Sequence, residues 1–427
     1  MVQYNINMKK LIASAGVVAL GATGLNAQYA PGLTRMETAK PWSISASLRG
    51  FYDDNIFAVP KGAEEDSFGI EVRPRLALNF TREQTYLGAA YTYSMKWYEA
   101  REKHPIDHSH EVELKAEHRF SERYKLGLND SFVYAQEPEI IEGAGAPVGA
   151  PTRPRTDADV LRNRASLDFR AQATELLGVA LGYQNSWYDY RQDGAGSRSA
   201  LLDRLEHLFR VDARWQALPS LVGLVGYEFG INNYTADEPL TTALNALTSK
   251  ARDNRAQYFY VGADYTVSER MNTSARVGIR YTDYTEIQNT DWNPYAEISG
   301  TYTYLPGSYV EIGFRHDRNA TDLAGSGTAS GLTLDQESST IYGSIHHRIT
   351  PKIIGNAILQ FQHSVFNGGI FDNDVDNFLM AGVNLQYQIT QNWAAETGYN
   401  YDRLDSDETA SRSFTRNRVY VGVRAQY

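Results

Sequence analysis

The chain of 427 residues has no cysteine and, beyond its N-terminus, no long apolar run. Without cysteine it has no disulfide framework, and this absence suits a protein that works in an oxidising compartment. No stretch approaches the roughly 20 consecutive apolar residues that a membrane helix requires. The net charge of −10 argues against nucleic acid as a partner. No linker or shift in composition divides the chain, so a single domain is expected.

The N-terminus has the organisation of an export signal. Lys9 and Lys10 precede a short apolar run at 11–20, and Ala27 supplies the small residue that signal peptidase requires. Residues 1–27 are therefore predicted to be a signal peptide, with Met8 as an alternative start, and 28–427 the mature domain. A soluble N-terminal helix is the other interpretation. An exported chain without a membrane helix is periplasmic, secreted or an outer-membrane β-barrel.

Apolar and polar residues alternate along the mature chain. In the segment 68–80 every even position is apolar, from Phe68 to Phe80, and the odd positions are polar or small. The same alternation returns elsewhere, at 112–120, 164–171, 205–215, 259–267 and 379–389. A period of two over runs of this length predicts β-strands that are apolar on one face.

Short and long connections separate these strands in turn. Eight short polar turns recur every 40 to 50 residues or so, at 81–84, 121–123, 174–175, 218–220, 268–270, 305–307, 350–352 and 390–392. Longer connections rich in Gly, Ala, Asp and Pro lie between them, at 136–159, 192–200, 235–254, 319–338 and 367–376. Short turns at one end and long loops at the other are typical of outer-membrane barrels.

The predicted fold is all-β: a transmembrane antiparallel up-and-down β-barrel of about 18 strands, with 16 as the alternative. An even strand number places both termini at the short-turn end, which is periplasmic. A soluble β-helix, propeller or sandwich array is the competing architecture. Aromatic residues near the strand ends, such as Trp97, Trp292 and Trp393, favour the barrel because they would form girdles at the two membrane interfaces.

The last ten residues form another alternating strand, which runs to Tyr427. This strand resembles the C-terminal signal of outer-membrane proteins, a closing strand with a glycine and a terminal aromatic residue. Gly422 and Tyr427 fit that signal, whereas Ala425 stands where a larger apolar residue is usual. The resemblance implies that the barrel-assembly machinery recognises this strand.

The segment Gly50-Phe51-Tyr52-Asp53-Asp54-Asn55-Ile56-Phe57 carries a family resemblance. It is similar to the first hairpin of the second family of putative outer-membrane beta-barrel porins of Gram-negative bacteria. That resemblance implies an outer-membrane barrel and a porin, and it supplies no substrate.

If the apolar faces meet lipid, the alternate residues line the pore. The predicted pore-lining residues are Arg73, Arg75, Glu113, Lys115, Glu117, Arg119, Arg164, Asp168, Arg170, Arg210, Asp212, Arg214, Arg276, Arg280, Arg348, Arg418 and Arg424. Charges of both signs on neighbouring strands would create a transverse field across a wet pore. Cross-strand ion pairs that only hold the wall together are the alternative. The excess of arginine indicates a weak anion preference or contact with acidic glycans, although the net charge points the other way.

Further expectations concern the interior and the wall. Either 136–159 or 235–254 is expected to fold inward as a constriction, with a short helix at 240–247; a mobile external loop is the alternative. Asp130 falls on the predicted lipid face, which predicts a β-bulge or an interfacial depth there. Tyrosines of the predicted lumen face would stack on sugar rings or simply pack the wall; they are Tyr258, Tyr260, Tyr295, Tyr342 and Tyr420.

The sequence thus predicts a passive channel of the outer membrane for small hydrophilic solutes, sugars among them. No enzyme activity, cofactor or metal site is expected. The expected partners are outer-membrane lipid, the barrel-assembly machinery and the solutes, with a homotrimer left open. Two other functions remain: an outer-membrane component of exopolysaccharide export or assembly, and a non-conducting surface adhesin or scaffold.

Overall fold

The computed structural model describes residues 40–135, 159–328, 330–407 and 412–427. The predicted signal peptide and most of the connection 136–159 lie outside these ranges. Within them the chain forms eighteen strands. The strands are β1 (Trp42–Asp53), β2 (Ser67–Arg82), β3 (Thr85–Tyr98), β4 (Ile106–Arg119), β5 (Tyr124–Ala135), β6 (Val160–Gln172), β7 (Leu177–Tyr190), β8 (Arg204–Leu218), β9 (Leu221–Tyr234), β10 (Asn254–Ser268), β11 (Met271–Tyr284), β12 (Asn289–Leu305), β13 (Ser308–Asn319), β14 (Asp335–Arg348), β15 (Ile353–Asn367), β16 (Val375–Gln388), β17 (Trp393–Ser406) and β18 (Phe414–Gln426).

Each strand pairs antiparallel with its neighbours in sequence, and β18 also pairs with β1. The sheet is therefore a closed up-and-down barrel, which confirms the predicted fold and the strand number of eighteen. All eight short turns join strands at one end of the barrel, where both termini of the sheet also lie. We call this the turn end and the opposite end the loop end.

The barrel closes along the ladder between β1 and β18. Its pairs run from Ser45↔Gln426 to Asp53↔Arg418. Beyond the ladder, Tyr427 exchanges two backbone hydrogen bonds with Ile44, at 2.8 and 3.2 Å. The ring of Tyr427 also packs 5.3 Å from the ring of Trp42. The terminal aromatic residue thus extends the closing seam by one further pair.

Gly422 makes room for a charged side chain that crosses this seam. Arg49 lies opposite Gly422 in the ladder, and its Nε donates to Glu396 on β17 at 2.6 Å. A Cβ at Gly422 would lie 2.7 Å from Arg49 Cγ and 2.5 Å from the Leu48 carbonyl oxygen. Glycine is therefore required at this position because any side chain would push Arg49 away from Glu396.

Large apolar side chains cover the outer wall. Val225 and Val421, for example, are 63% and 67% exposed. Exposed aromatic residues lie near the strand ends, with Trp215 and Trp393 at the turn end and Trp292 at the loop end. An apolar belt between two aromatic girdles is the outer surface that a lipid bilayer requires. No helix in the described part of the chain is long and apolar enough to cross a membrane.

Asp130 lies on this outer wall without a β-bulge. It faces Leu114 on β4 and Ala165 on β6 in ladders that keep their register. Its carboxylate accepts a hydrogen bond of 2.7 Å from the side-chain amide of Asn163. Of the two expectations for this position, the bulge is therefore wrong: the ladders keep their register, and a neighbouring amide provides a partner for the partly buried carboxylate.

The buried pair of Arg416 and Asp53 ties the loop end of the seam. Both side chains are almost fully buried, and Arg416 Nε donates to both carboxylate oxygens, at 2.9 and 3.1 Å. We expect Asp53→Asn to lower the free energy of unfolding by about 3 kcal/mol, because it leaves a buried cation without its counter-charge. Chemical unfolding in detergent micelles measures this change.

The control for that experiment is Arg403→Gln, which removes a surface ion pair. Arg403 and Asp405 are both about half exposed, at 51% and 53%. Exposed pairs contribute little, so no measurable change is expected. Equal losses in the two variants would contradict the special role of the seam.

Candidate functional site

The barrel interior carries most of the predicted pore-lining residues as ion pairs between strands. Arg75 contacts Glu113 at 2.7 Å across the intervening β3, and Arg280 contacts Asp317 at 2.9 Å across β12. Other such pairs are Arg73–Glu111 at 3.8 Å, Arg210–Glu228 at 2.6 Å, Arg214–Asp264 at 2.5 Å, Arg276–Asp264 at 3.8 Å and Arg418–Asp402 at 2.5 Å, while Lys115 pairs with Glu117 on its own strand at 3.1 Å. These ion pairs therefore stabilise the inner wall of the barrel and also contribute to the electric field in its interior.

The predicted residues lie at different heights along the barrel axis. A single small recess is bordered by Asp168, Arg170, Arg210, Asp212, Arg214 and Arg276. Arg164 lies higher, near the loop end, and Arg119, Arg348 and Arg424 lie at the turn end. The structure thus brings six of the predicted residues to one recess and places Arg119, Arg348 and Arg424 at the turn end, away from it.

The interior tyrosines lie against glycines of the neighbouring strands. A Cβ on Gly226 would lie 2.2 Å from the ring of Tyr260, and one on Gly313 would lie 2.1 Å from the ring of Tyr342. Tyr420 covers Gly398 in the same way. Covering a strand glycine with an aromatic ring is a known way to stabilise a curved sheet. Wall packing therefore accounts for these three rings better than stacking on a solute.

A cavity of ≈ 200 Å³ lies in the interior near the loop end, between β4 and β14. Among the described residues, its charged lining comprises six arginines and four carboxylates: Arg162, Arg164, Arg204, Arg280, Arg315 and Arg318, with Glu111, Glu206, Asp317 and Asp335. Positive charge therefore prevails at this level. Arg315 was missed in the sequence although the alternation of β13, with Val310, Ile312 and Phe314 facing out, would have identified it.

A loop layer lies over this cavity; we define it as the connections 191–203, 235–253, 320–328 and 330–334. Leu201, Leu202, Leu240 and Leu332 from these connections pack in one apolar cluster with Tyr190. The cluster also includes Leu334, and both Tyr190 and Leu334 line the cavity from above. Because Tyr190 and Leu334 belong both to the cluster and to the cavity lining, the loop layer packs against the cavity at the loop end.

Arg252 holds the loop layer together. Its side chain is 0% exposed and donates to the carbonyls of Leu201 and Thr321, at 3.4 and 3.3 Å, and of Thr333, at 2.9 Å. It also donates to the carbonyl of Leu323. Burial lowers the pKa of Arg252, but an arginine stays charged at neutral pH. One cation therefore binds carbonyls from both other connections of the loop layer.

Carboxylates reinforce the layer at two points. Asp322 accepts from Arg198 at 2.9 Å and from Arg412 at 3.1 Å, which ties the connection before β18 to the layer. Asp203 accepts from Ser199 and from the backbone of Tyr190. Burial nevertheless raises the pKa of Asp203, because desolvation disfavours its charged form.

The predicted helix at 240–247 is wrong. Pro239 instead pairs with Thr248 in an isolated bridge, and the Leu240 N–H bonds to the Leu247 carbonyl at 2.8 Å. The helical turns of the layer lie elsewhere, at Arg198–Leu202 and Ser249–Arg252. Packing of Leu240 into the apolar cluster, where it is 1% exposed, decides the conformation. The other expected inward connection, 136–159, lies almost wholly outside the described ranges.

No group of three or more His, Asp or Glu side chains in the described ranges is placed to hold a metal ion. Several histidines instead form hydrogen bonds with side chains of the neighbouring strand, such as His110 with Tyr91 at 2.8 Å and His346 with Asn356 at 2.6 Å.

The family described as Putative beta-barrel porin 2 has a sequence model that matches residues 42–427. Among solved structures, the outer membrane protein opdK from Pseudomonas aeruginosa is similar, with 12% identity, a TM-score of 0.42 and coverage of 90% of this chain and 99% of its own. A BenF-like porin from Pseudomonas fluorescens Pf-5 has 11% identity, a TM-score of 0.43 and coverage of 91% and 99%. Pseudomonas aeruginosa OccK2 (OpdF), solved with glucuronate, has 10% identity, a TM-score of 0.44 and coverage of 90% and 98%. A search of curated proteins found no match.

Replacing Arg252 tests the integrity of the loop layer. We expect Arg252→Met to loosen the layer while the barrel stays folded, because four buried carbonyls lose their donor. Limited proteolysis should then cut within 191–203, 235–253 or 320–334 at least several times faster. Arg255→Met, at an exposed arginine three residues later, is the matched control. Equal cleavage of both variants and the wild type would refute the role of Arg252.

Proposed function

The chain belongs to the putative beta-barrel porin 2 family, and we propose that it is a passive outer-membrane channel for small hydrophilic solutes, sugars among them. The observation that carries this proposal is the polar, charged interior with a cavity of ≈ 200 Å³ near the loop end. A barrel of eighteen strands is too wide for its own side chains to fill and must hold water, a plug or an inward loop, and the polar interior favours water. A closed barrel with an apolar outer wall is also the only β-architecture that spans a membrane.

The proposed mechanism is diffusion through this water-filled interior. The loop layer restricts the size of the solute, because its apolar cluster borders the cavity. The charged side chains around the cavity then select among the solutes that pass. The turn end, with both termini, faces the periplasm in this proposal, and the loop layer faces outward.

Anions are favoured over cations in the proposed channel. Six arginines and four carboxylates line the cavity, although the whole chain carries a net charge of −10. A local excess of one charge in a low-dielectric wall concentrates ions of the opposite sign. Selectivity follows from this local charge and not from the overall charge.

Assembly partners are proposed from the same features. The closing strand β18, with Gly422 and Tyr427, would be the strand that the barrel-assembly machinery recognises. Outer-membrane lipid contacts the apolar wall. A homotrimer is a further proposal, which rests only on what is common among porins. The family and the barrel point to a channel and not to an enzyme.

Two other functions lead to different electrical behaviour. An exit for exopolysaccharide would need periplasmic partners and a gate that opens only with them. An adhesin or scaffold would use the loops for binding and leave the barrel closed to ions. The paired charges across the interior of the described barrel fit a wet wall in each case, so conductance has to separate the three.

Single-channel conductance in a planar bilayer tests the proposal. The purified wild-type barrel should give steady current steps, and its reversal potential in a KCl gradient should have the sign of an anion-preferring pore. Arg252→Met should give larger steps because it loosens the roof of the cavity. A folded barrel without steps, in the wild type and in this variant, would refute the diffusion channel. It would favour the gated exporter or the scaffold.

A further inference from the structure

We propose that the cavity under the loop layer is a binding site for one small hydroxylated organic acid, whose carboxylate is held by Arg164. This inference rests on the proposed function, since the ligand is a solute that enters the barrel interior. It adds a defined binding step and a chemical class of solute to a channel that would otherwise act only as a sieve.

The four carboxylates of the cavity already have arginine partners. Glu206 contacts Arg204 at 2.6 Å, and Asp335 contacts Arg318 at 2.9 Å. Asp317 contacts both Arg280, at 2.9 Å, and Arg315, at 3.3 Å. Glu111 lies 3.8 Å from Arg73, which is outside the cavity. Each carboxylate of the described lining is therefore already paired with an arginine.

Arg164 differs from these arginines because its hydrogen-bond partner is neutral. Its Nη2 donates to the side-chain oxygen of Gln184 at 2.8 Å, while its buried Nε has no partner among the described residues. Gln184 is itself fixed by a hydrogen bond to Ser186 at 3.2 Å. A guanidinium presents five donors in a planar fork, so Arg164 retains donors for a ligand.

Charges of both signs act on Arg164. The guanidinium groups of Arg315 and Arg162 repel it, whereas the carboxylate of Glu206, which is already paired with Arg204, attracts it. A bound anion would offset the repulsion from the two arginines and accept hydrogen bonds from the guanidinium donors that Gln184 does not use. A carboxylate fits best because its two oxygens match the arginine fork and form two parallel hydrogen bonds.

The rest of the lining indicates a ligand with hydroxyl groups. Neutral amide and hydroxyl side chains alternate with the charges around the cavity: Gln184, Ser186, Asn232, Asn254 and Asn319. These groups both donate and accept, as sugar hydroxyls require. A cavity of ≈ 200 Å³ has room for roughly seven waters, and so for one acid of monosaccharide size.

Isothermal titration calorimetry on the detergent-purified barrel tests the site directly. Galacturonate is the probe, and galactose is its uncharged counterpart. We expect galacturonate to bind and galactose not to bind under the same conditions. Arg164→Gln should weaken galacturonate binding by about tenfold or more, because a charge-assisted hydrogen-bond pair is lost. Arg164→Lys should fall between the two, since it keeps the charge and loses the fork.

The matched control is Arg119→Gln, at a predicted pore arginine of the turn end. It should bind galacturonate like the wild type. Equal weakening by Arg119→Gln and Arg164→Gln, or equal affinity for inorganic phosphate and galacturonate, would overturn the assignment. So would equal binding of galactose.

Calorimetry tests the binding site, and conductance tests the channel, so each proposal can be refuted without the other. A barrel that conducts but does not bind galacturonate would refute the site and leave the channel intact. A barrel that binds galacturonate through Arg164 but carries no current would refute passive diffusion and keep the site.

Discussion

Pairing of every backbone group is the constraint on which this structure depends. Lipid offers no hydrogen bonds, so an open sheet edge inside a bilayer would leave a row of polar groups without partners. The ladder between β1 and β18 removes both edges at once, and Tyr427 extends it through its two bonds with Ile44. Gly422 also contributes to closure, because Arg49 crosses the seam through the space that a side chain at position 422 would occupy.

Closure of the sheet then decides where the charges lie. With apolar side chains facing lipid, each strand presents its alternate residues inward, and these meet across two strands as in Arg75 with Glu113. Such pairs stabilise the wall and at the same time determine the field that a solute meets. Near the loop end the balance shifts, because the four carboxylates of the cavity cannot neutralise six arginines. In the channel that we propose, selectivity and stability would therefore depend on charged side chains at different heights of the barrel.

Periodicity in the sequence predicts those features of the fold that repeat along the chain. The strand number, the eight short turns and the lipid-facing positions follow from alternation and turn composition, which act over neighbouring residues. The loop layer does not follow from them. Residues 240–247 have a helical composition, but Leu240 packs against leucines from two other connections, and no local pattern reports this. In the sequence, Arg252 likewise resembles an ordinary charged loop residue, although its hydrogen-bond partners are carbonyls 51 to 81 residues away.

The residues of the candidate site also fall into those that the sequence predicts and those that it does not. Arg164 and Arg280 were predictable because they alternate within well-patterned strands. Arg204 and Arg318 were missed because they lie at strand ends, where alternation gives way to loop composition. At Asp130 the alternation itself was misleading. A charged residue on the lipid-facing side suggested a bulge, whereas the side-chain amide of Asn163 on β6 provides its hydrogen-bond partner.

We infer that a wet path favouring anions leads past the loop layer into the barrel. Because the chain has no cysteine, a single introduced thiol can be labelled without background. Asn232→Cys places it in the cavity, and Val225→Cys places it on the lipid face of the same strand. Our account predicts that an anionic methanethiosulfonate modifies Asn232→Cys in the folded barrel faster than a cationic one of equal size, and leaves Val225→Cys unmodified. Modification of Asn232→Cys only after denaturation would contradict it, because the cavity would then be sealed from water.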